Sequence, residues 1–130
     1  MKIQNISGIN YYRHFFQLAY VTTDIEHSIR LFGEFYGIQK FLTFDEPASM
    51  NIIDNRLETS CKMQLAFATI GEHQLELIEP IEDPLGRYTE ILPKEGFSQR
   101  FHHLGCRFQK REEWEAFRSS LDSGKHPIAF

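Results

Sequence analysis

Three side chains scattered along 130 residues carry donors of the kind that hold a divalent metal: Gln17, Glu76 and His103. Each lies in a strand-like run. In "QLELIEP", Glu76 alternates with Leu75 and Leu77 and so points to the face opposite those leucines. In "FHHLGCRF", alternation gives His103, Gly105 and Arg107 one face, and His102, Leu104 and Cys106 the other. An amide, a carboxylate and an imidazole on one side of a curved sheet suit Zn, Ni, Co, Mn or Fe, and the lack of a thiolate disfavours soft-metal sites. A plainer reading stands beside this one. A Glu in a strand is commonly solvent-facing, and a His beside apolar residues is commonly a core residue with its hydrogen bonds met.

Other titratable residues offer less. His14 and His73 fall near strand ends and His27 on a helix, where solvated surface positions are expected. Alternation turns His102 away from His103, to pack under the helices. Glu79 follows the Leu-Glu-Leu run and reads as a strand-end surface group. Arg107 shares the face of His103 and could meet an anionic substrate, and a solvated edge arginine is an equal reading. No glycine-rich phosphate loop, nucleophile elbow or zinc-finger cysteine spacing occurs.

The elements that must position these residues follow from local pattern. "FFQLAYVT" (15–22) is aromatic and β-favouring and predicts a strand. "TTDIEHSIRLFGEFYG" predicts a helix with Asp24 as N-cap, Glu26 in the first turn, Gly37 as the stop, and Ile25, Ile29 and Phe32 on one face. "QKFLTFD" (39–45) returns to strand character. Residues 46–60 hold Pro47, Ser49, Asn51, Asp54 and Asn55 and read mostly as loop, with room for a short strand around Met50–Ile53. "CKMQLAFATIG" and "EHQLELIEP" predict a hairpin turning at Gly71–Glu72. Residues 81–98, with two prolines and two glycines, read as a linker containing at most a helical turn. A strand at 100–108 and a charged amphipathic helix at 110–124 follow, then the beginning of another strand at "HPIAF".

The order β-α-β-β-β is followed by a second β-α. Laid over one another, "FQLAYVTTDIEHSIRLFGEFYG" and "HHLGCRFQKREEWEAFRSSLDSG" share the rhythm of strand, turn, helix and glycine stop, with Gln17 falling on His103. The second copy is incomplete. About 59 residues separate Gln17 from Glu76, and the same step from His103 lands near position 162, past Phe130. The chain is therefore expected to be a fragment of a longer protein, because a domain ending in mid-strand would expose an unpaired edge.

Composition narrows the function classes. The length suits one domain, and an apolar fraction of 42% with 12 phenylalanines is enough for a core. A net charge of −4 without a basic stripe argues against nucleic acid. No apolar run is long enough to span a bilayer and no signal peptide is evident, so a membrane partner is not expected. Two cysteines, Cys61 and Cys106, are too few for a disulfide framework and suit a reduced, cytoplasmic setting.

The segments "FQLAYVTTDIEHSIRLFGEFYGI", "MQLAFATIGEHQLELIEP" and "GFSQRFHHLGCRF" together resemble the vicinal oxygen chelate superfamily. That superfamily includes glyoxalase I, bleomycin-resistance proteins, extradiol dioxygenases and methylmalonyl-CoA epimerase. The glycine-plus-His-His run is similar to the opening of the second module in the glyoxalase-like and epimerase-like branch. The resemblance implies an α+β fold of paired βαβββ modules forming a cupped sheet, with the second module truncated after its helix. It implies one domain over 1–130, with a first module at 14–80, a linker at 81–98 and the start of the second module at 99–130. It also implies His103 as the second-module ligand and Glu76 as the ligand ending the first module. Gln17 occupies the first-strand position, where many members have His and eukaryotic-type glyoxalase I has Gln. The family's fourth ligand, often the catalytic base, has no matching position before the chain ends.

The expected function is a glyoxalase-like, metal-dependent lyase or isomerase. It would act on a small oxo compound, a hemithioacetal or an acyl-CoA thioester, through an enediolate or enolate formed when a carboxylate takes a proton α to a carbonyl. The competing expectation is a metal-free binding or resistance protein of the same fold, its cup lined by aromatics. A third is a regulatory module whose ligand positions are relics. A homodimer is expected, since an uncovered sheet edge needs a partner.

Overall fold

A computed structural model describes residues 2, 4, 10–54, 57–121 and 123–125. The fold is α+β. Six strands form one mixed sheet: β1 (Phe15–Thr22), β2 (Leu42–Thr43), β3 (Ala48–Asp54), β4 (Leu57–Ile70), β5 (His73–Glu82) and β6 (Gln99–Cys106). Two helices, α1 (Ile25–Tyr36) and α2 (Arg111–Ser120), follow β1 and β6 respectively. The order across the sheet is β2-β4-β5-β1-β6, with β3 also on β4. Strand β1 runs parallel to β5 and antiparallel to β6. The first helix therefore makes the crossover that a parallel neighbour requires.

Local chemistry explains α1. The Asp24 carboxylate accepts from the His27 N–H at 2.8 Å, and Glu79 on β5 accepts from the Ile25 N–H at 2.9 Å. Two carboxylates thus satisfy donors at the positive end of the helix. Glu79 is accordingly a helix cap rather than the surface group expected for a strand end. Gly37 ends the helix in the left-handed conformation (φ 70°) that glycine adopts without penalty.

The strand alternation sorts side chains between two apolar clusters. Leu75, Leu77, Ala66 and Ala68 pack with Ile25 and Phe32 of α1. On the opposite face, Ala19, Val21, Cys61, Met63 and Ile78 pack with Ile52 and Tyr88. The first face is the floor under the helix, and the second is the inside of the cup.

Two stretches differ from their sequence-level expectation. Residues 46–60 are not mostly loop: β3 and the start of β4 pair from Ala48↔Met63 to Asp54↔Leu57. Ser49, Asn51, Glu58 and Ser60 occupy exposed positions while Ile52 is buried, and Asn51 donates to Glu58 across the pair at 2.7 Å. Cross-strand contacts override weak β-propensity there. Residues 81–98 are more than a linker. The Asp83 carboxylate accepts from the N–H groups of Arg87, Tyr88 and Thr89 and from the Thr89 hydroxyl, which folds the chain into a compact turn over the cup. The expected final strand at "HPIAF" lies outside the described residues.

Candidate functional site

Parallel pairing sets Ala19 of β1 opposite Glu76 of β5, and antiparallel pairing sets the same Ala19 opposite His103 of β6. Glu76, Ala19 and His103 form one row on the inside of the cup. Only a methyl group stands between the two functional side chains, so they lean together over it. His103 Nε2 lies 3.6 Å from Glu76 Oε2.

The row opens into a cavity of about 650 Å³. Its walls are mainly apolar, with Met50, Met63, Leu65, Ile78 and Tyr88 around Glu76 and the two histidines. The Glu76 side chain is only 13% exposed, and burial pushes its carboxyl up to about 7. Burial, followed by the neighbouring His102, lowers the pKa of His103. Both shifts favour uncharged forms, as an apolar wall does. A separate depression lined by residues 37–42 and 67–70 contains neither Glu76 nor these histidines.

His102 is the main departure from strict alternation. The register steps from Ala19↔His103 to Tyr20↔Phe101, so one residue of β1 is matched by two of β6. His102 is the extra residue of a β-bulge, and a bulge brings consecutive side chains toward the same side. The rings of His102 and His103 therefore meet, with Nδ1 to Nδ1 at 2.8 Å. His102 Nε2 lies 2.9 Å from the Arg87 carbonyl oxygen, and its ring stacks on Tyr88 at 5.0 Å between centroids. It lines the cavity instead of packing under a helix.

Gln17 shares the inner face but sits one row along. It pairs with Gln74 and Gly105, and its amide nitrogen donates to Gln74 Oε1 at 2.7 Å. A second register shift makes Phe16 an extra residue on β1, and β6 ends at Cys106. Arg107 is therefore beyond the strand and exposed, its guanidinium 4.2 Å over the Phe16 ring. It lines a polar recess with Arg13, Glu72 and Glu113, outside the Glu76 cavity. His14, His27 and His73 lie against Phe108, Phe97 and Phe15 respectively, and none lines the cavity with Glu76.

Tyr88 and the Arg87 carbonyl are site components that strand and helix periodicity did not suggest. The sequence signal was the "DPLGRY" turn, whose Asp-Pro and Gly mark a tight, ordered reversal. Tyr88 is 4% exposed, unusual for a tyrosine in a true linker.

The donor set can be weighed against a metal. A carboxylate and an imidazole nitrogen converge, which fits two ligands of a borderline divalent ion. The bond from Gln17 to Gln74 uses the amide nitrogen and not the carbonyl oxygen that would bind a metal. Among the described residues, no three His, Cys, Asp or Glu side chains cluster closely enough to form a site by themselves. Without a metal, Glu76 can exchange a proton with a bound molecule at near-neutral pH.

No curated protein matches the chain. A family model for the glyoxalase/bleomycin resistance protein/dioxygenase superfamily matches residues 16–124, from the first strand through the second helix. That span includes the whole Glu76–Ala19–His103 row and the turn that carries Tyr88, and on it the chain belongs to the glyoxalase/bleomycin resistance protein/dioxygenase superfamily.

Proposed function

We propose that this protein is a glyoxalase-like lyase or isomerase that moves a proton α to a carbonyl. The candidate substrates are a small oxo compound, a hemithioacetal or an acyl-CoA thioester. The observation that carries this reading is the meeting of Glu76 and His103 at 3.6 Å within an apolar cavity. The His-His run that supplies His103 favours the epimerase-like or glyoxalase-like branch of the superfamily.

Glu76 and His103 would hold a divalent metal, with Gln17 a third donor through its carbonyl oxygen. Such an ion, when bound, supplies Lewis-acid polarisation of the substrate oxygens. The chain's own groups do the rest. Met50, Met63, Leu65 and Ile78 exclude water and hold the apolar part of the substrate. A carboxylate, for which Glu76 is the candidate in the cavity, takes a proton from the carbon beside the carbonyl, and the electron pair passes to oxygen as an enolate or enediolate. Return of that proton to a neighbouring carbon, or to the other face of the same one, completes an isomerisation.

A second reading is a metal-free binding or resistance protein. It is favoured by the apolar walls that Met50, Met63, Leu65 and Ile78 give the cavity. Metal analysis of the purified chain separates the two. Near-stoichiometric Zn, Ni, Co, Mn or Fe, lost in both Glu76→Ala and His103→Ala, supports the enzyme. No metal after soaking, and no turnover of hemithioacetal or acyl-CoA substrates, overturns it.

A homodimer is part of this proposal. Strand β6 has β1 on one side and no strand on its other side among the described residues, and Phe101 on it is 49% exposed. A monomer by light scattering would count against the dimer. A cytoplasmic location fits the two cysteine thiols, and no described helix is long and apolar enough to cross a membrane.

A further inference from the structure

We propose that His102 is a positioning residue that sets the tautomer of His103 and so leaves the Nε2 lone pair of His103 directed at Glu76. The argument begins at the Arg87 carbonyl, which can only accept a hydrogen bond. His102 Nε2, 2.9 Å away, must therefore carry the hydrogen. A neutral imidazole has one N–H, so His102 Nδ1 is bare and accepts. The Nδ1–Nδ1 contact of 2.8 Å then needs a donor from the other ring, and His103 Nδ1 supplies it. The remaining nitrogen of His103 has no hydrogen, and it faces Glu76 Oε2 at 3.6 Å.

The relay is built rather than incidental. Asp83 fixes the turn that presents the Arg87 carbonyl, Tyr88 stacks on the His102 ring, and the bulge brings that ring to the side of His103. A nitrogen that must accept a proton or bind a metal is thereby held bare before any ligand arrives. Outer partners of a ligating histidine act this way on its orientation and basicity. The consequence for metal affinity rests on the function proposed above. The tautomer itself does not.

The test uses the full chain labelled with ¹⁵N, with the two-bond proton–nitrogen couplings of the imidazoles read above the histidine titration range. His103 is expected to carry its hydrogen on Nδ1 and His102 on Nε2. His102→Phe keeps a ring on Tyr88 but removes both nitrogens, and it should move the His103 population toward Nε2–H. Zn²⁺ affinity should fall about 10–100-fold in that variant. His102→Gln offers a carbonyl to accept and an amide to donate, and it should restore most of both readouts. A wild-type His103 protonated on Nε2, or a tautomer unchanged in His102→Phe, overturns the proposal. Should His102→Phe not fold, the wild-type couplings alone decide. A wild-type chain that shows the expected tautomer yet binds no Zn²⁺ overturns the metal reading and leaves this one standing.

Discussion

His103 Nε2 and Glu76 Oε2 approach to 3.6 Å although their strands are not neighbours. Strand β1 runs between them, and its Ala19 is the partner of both. Adjacent strands lie about 4.8 Å apart, so the two backbones are separated by roughly twice that spacing. The side chains close the gap only because the intervening residue is small and fully buried.

Ala19→Leu should therefore wedge the pair apart. Overpacking of a buried position of this kind costs about 1–3 kcal/mol. Urea denaturation should show that loss, and any metal binding or turnover that needs both groups should fall further than stability does. An activity equal to wild type in a folded Ala19→Leu would show that the two groups do not act together.

Glu76 ties stability to pH. Its carboxyl rises from 4.5 to about 7 on folding, so between those values the folded chain binds a proton that the unfolded chain releases. Stability from this group is present below about 4.5 and declines as pH rises, levelling off above about 7. The total is about 3 kcal/mol for a shift of this size. His103, whose pKa is depressed, works oppositely: its contribution is lost as pH falls below its unfolded value of about 6.5. Glu76→Gln should remove only the first effect. Measured with a chelator present, its stability should fall less steeply from acid to neutral pH than that of wild type. Parallel curves for the two proteins would refute the assignment.

Asp83 holds the turn that carries Tyr88 and the Arg87 carbonyl. Burial raises its pKa, but hydrogen bonds from Thr89, Tyr88 and Arg87 outweigh this and leave it below its usual value. Asp83→Ala should cost about 1.5–3 kcal/mol, the range for hydrogen bonds to a charged group. It should also loosen Tyr88, seen as a shift in tyrosine fluorescence or NMR. The wild-type advantage over Asp83→Ala should shrink as pH falls through the depressed pKa, because the protonated carboxyl accepts these bonds less well.

Gly105 faces Gln17 so closely that a Cβ added to it would lie 2.8 Å from the Gln17 Cβ and 2.7 Å from its Oε1. The Oε1 could swing away, but the Cβ moves only with its strand. Gly105→Ala should lower stability by about 1–3 kcal/mol by forcing β6 from β1. A thermal midpoint unchanged from wild type would show that the strands have more room than this contact allows.

Much of the architecture could be read from sequence because its causes are local. Asp24 and Gly37 bracket α1 by capping and by left-handed backbone, and Gly71 marks the β4–β5 hairpin. The Leu-Glu-Leu alternation turned Glu76 away from the helix side, where Leu75 and Leu77 pack. What depended on pairing between distant segments was hidden. Strict alternation separated His102 from His103, and a one-residue slip against β1 reunited them. The same kind of slip at Phe16, with the end of β6, put Arg107 outside the cavity. Ala48–Asp54 became strand because β4 offered a partner, and the turn at Arg87–Thr89 became a wall because Asp83 gathered its amides. The sequence by itself determined which donors lie on which strands, since a period of two residues is a property of the chain alone. Only the tertiary structure decided which donors meet, since register and bulges are set by neighbouring strands that local pattern does not encode.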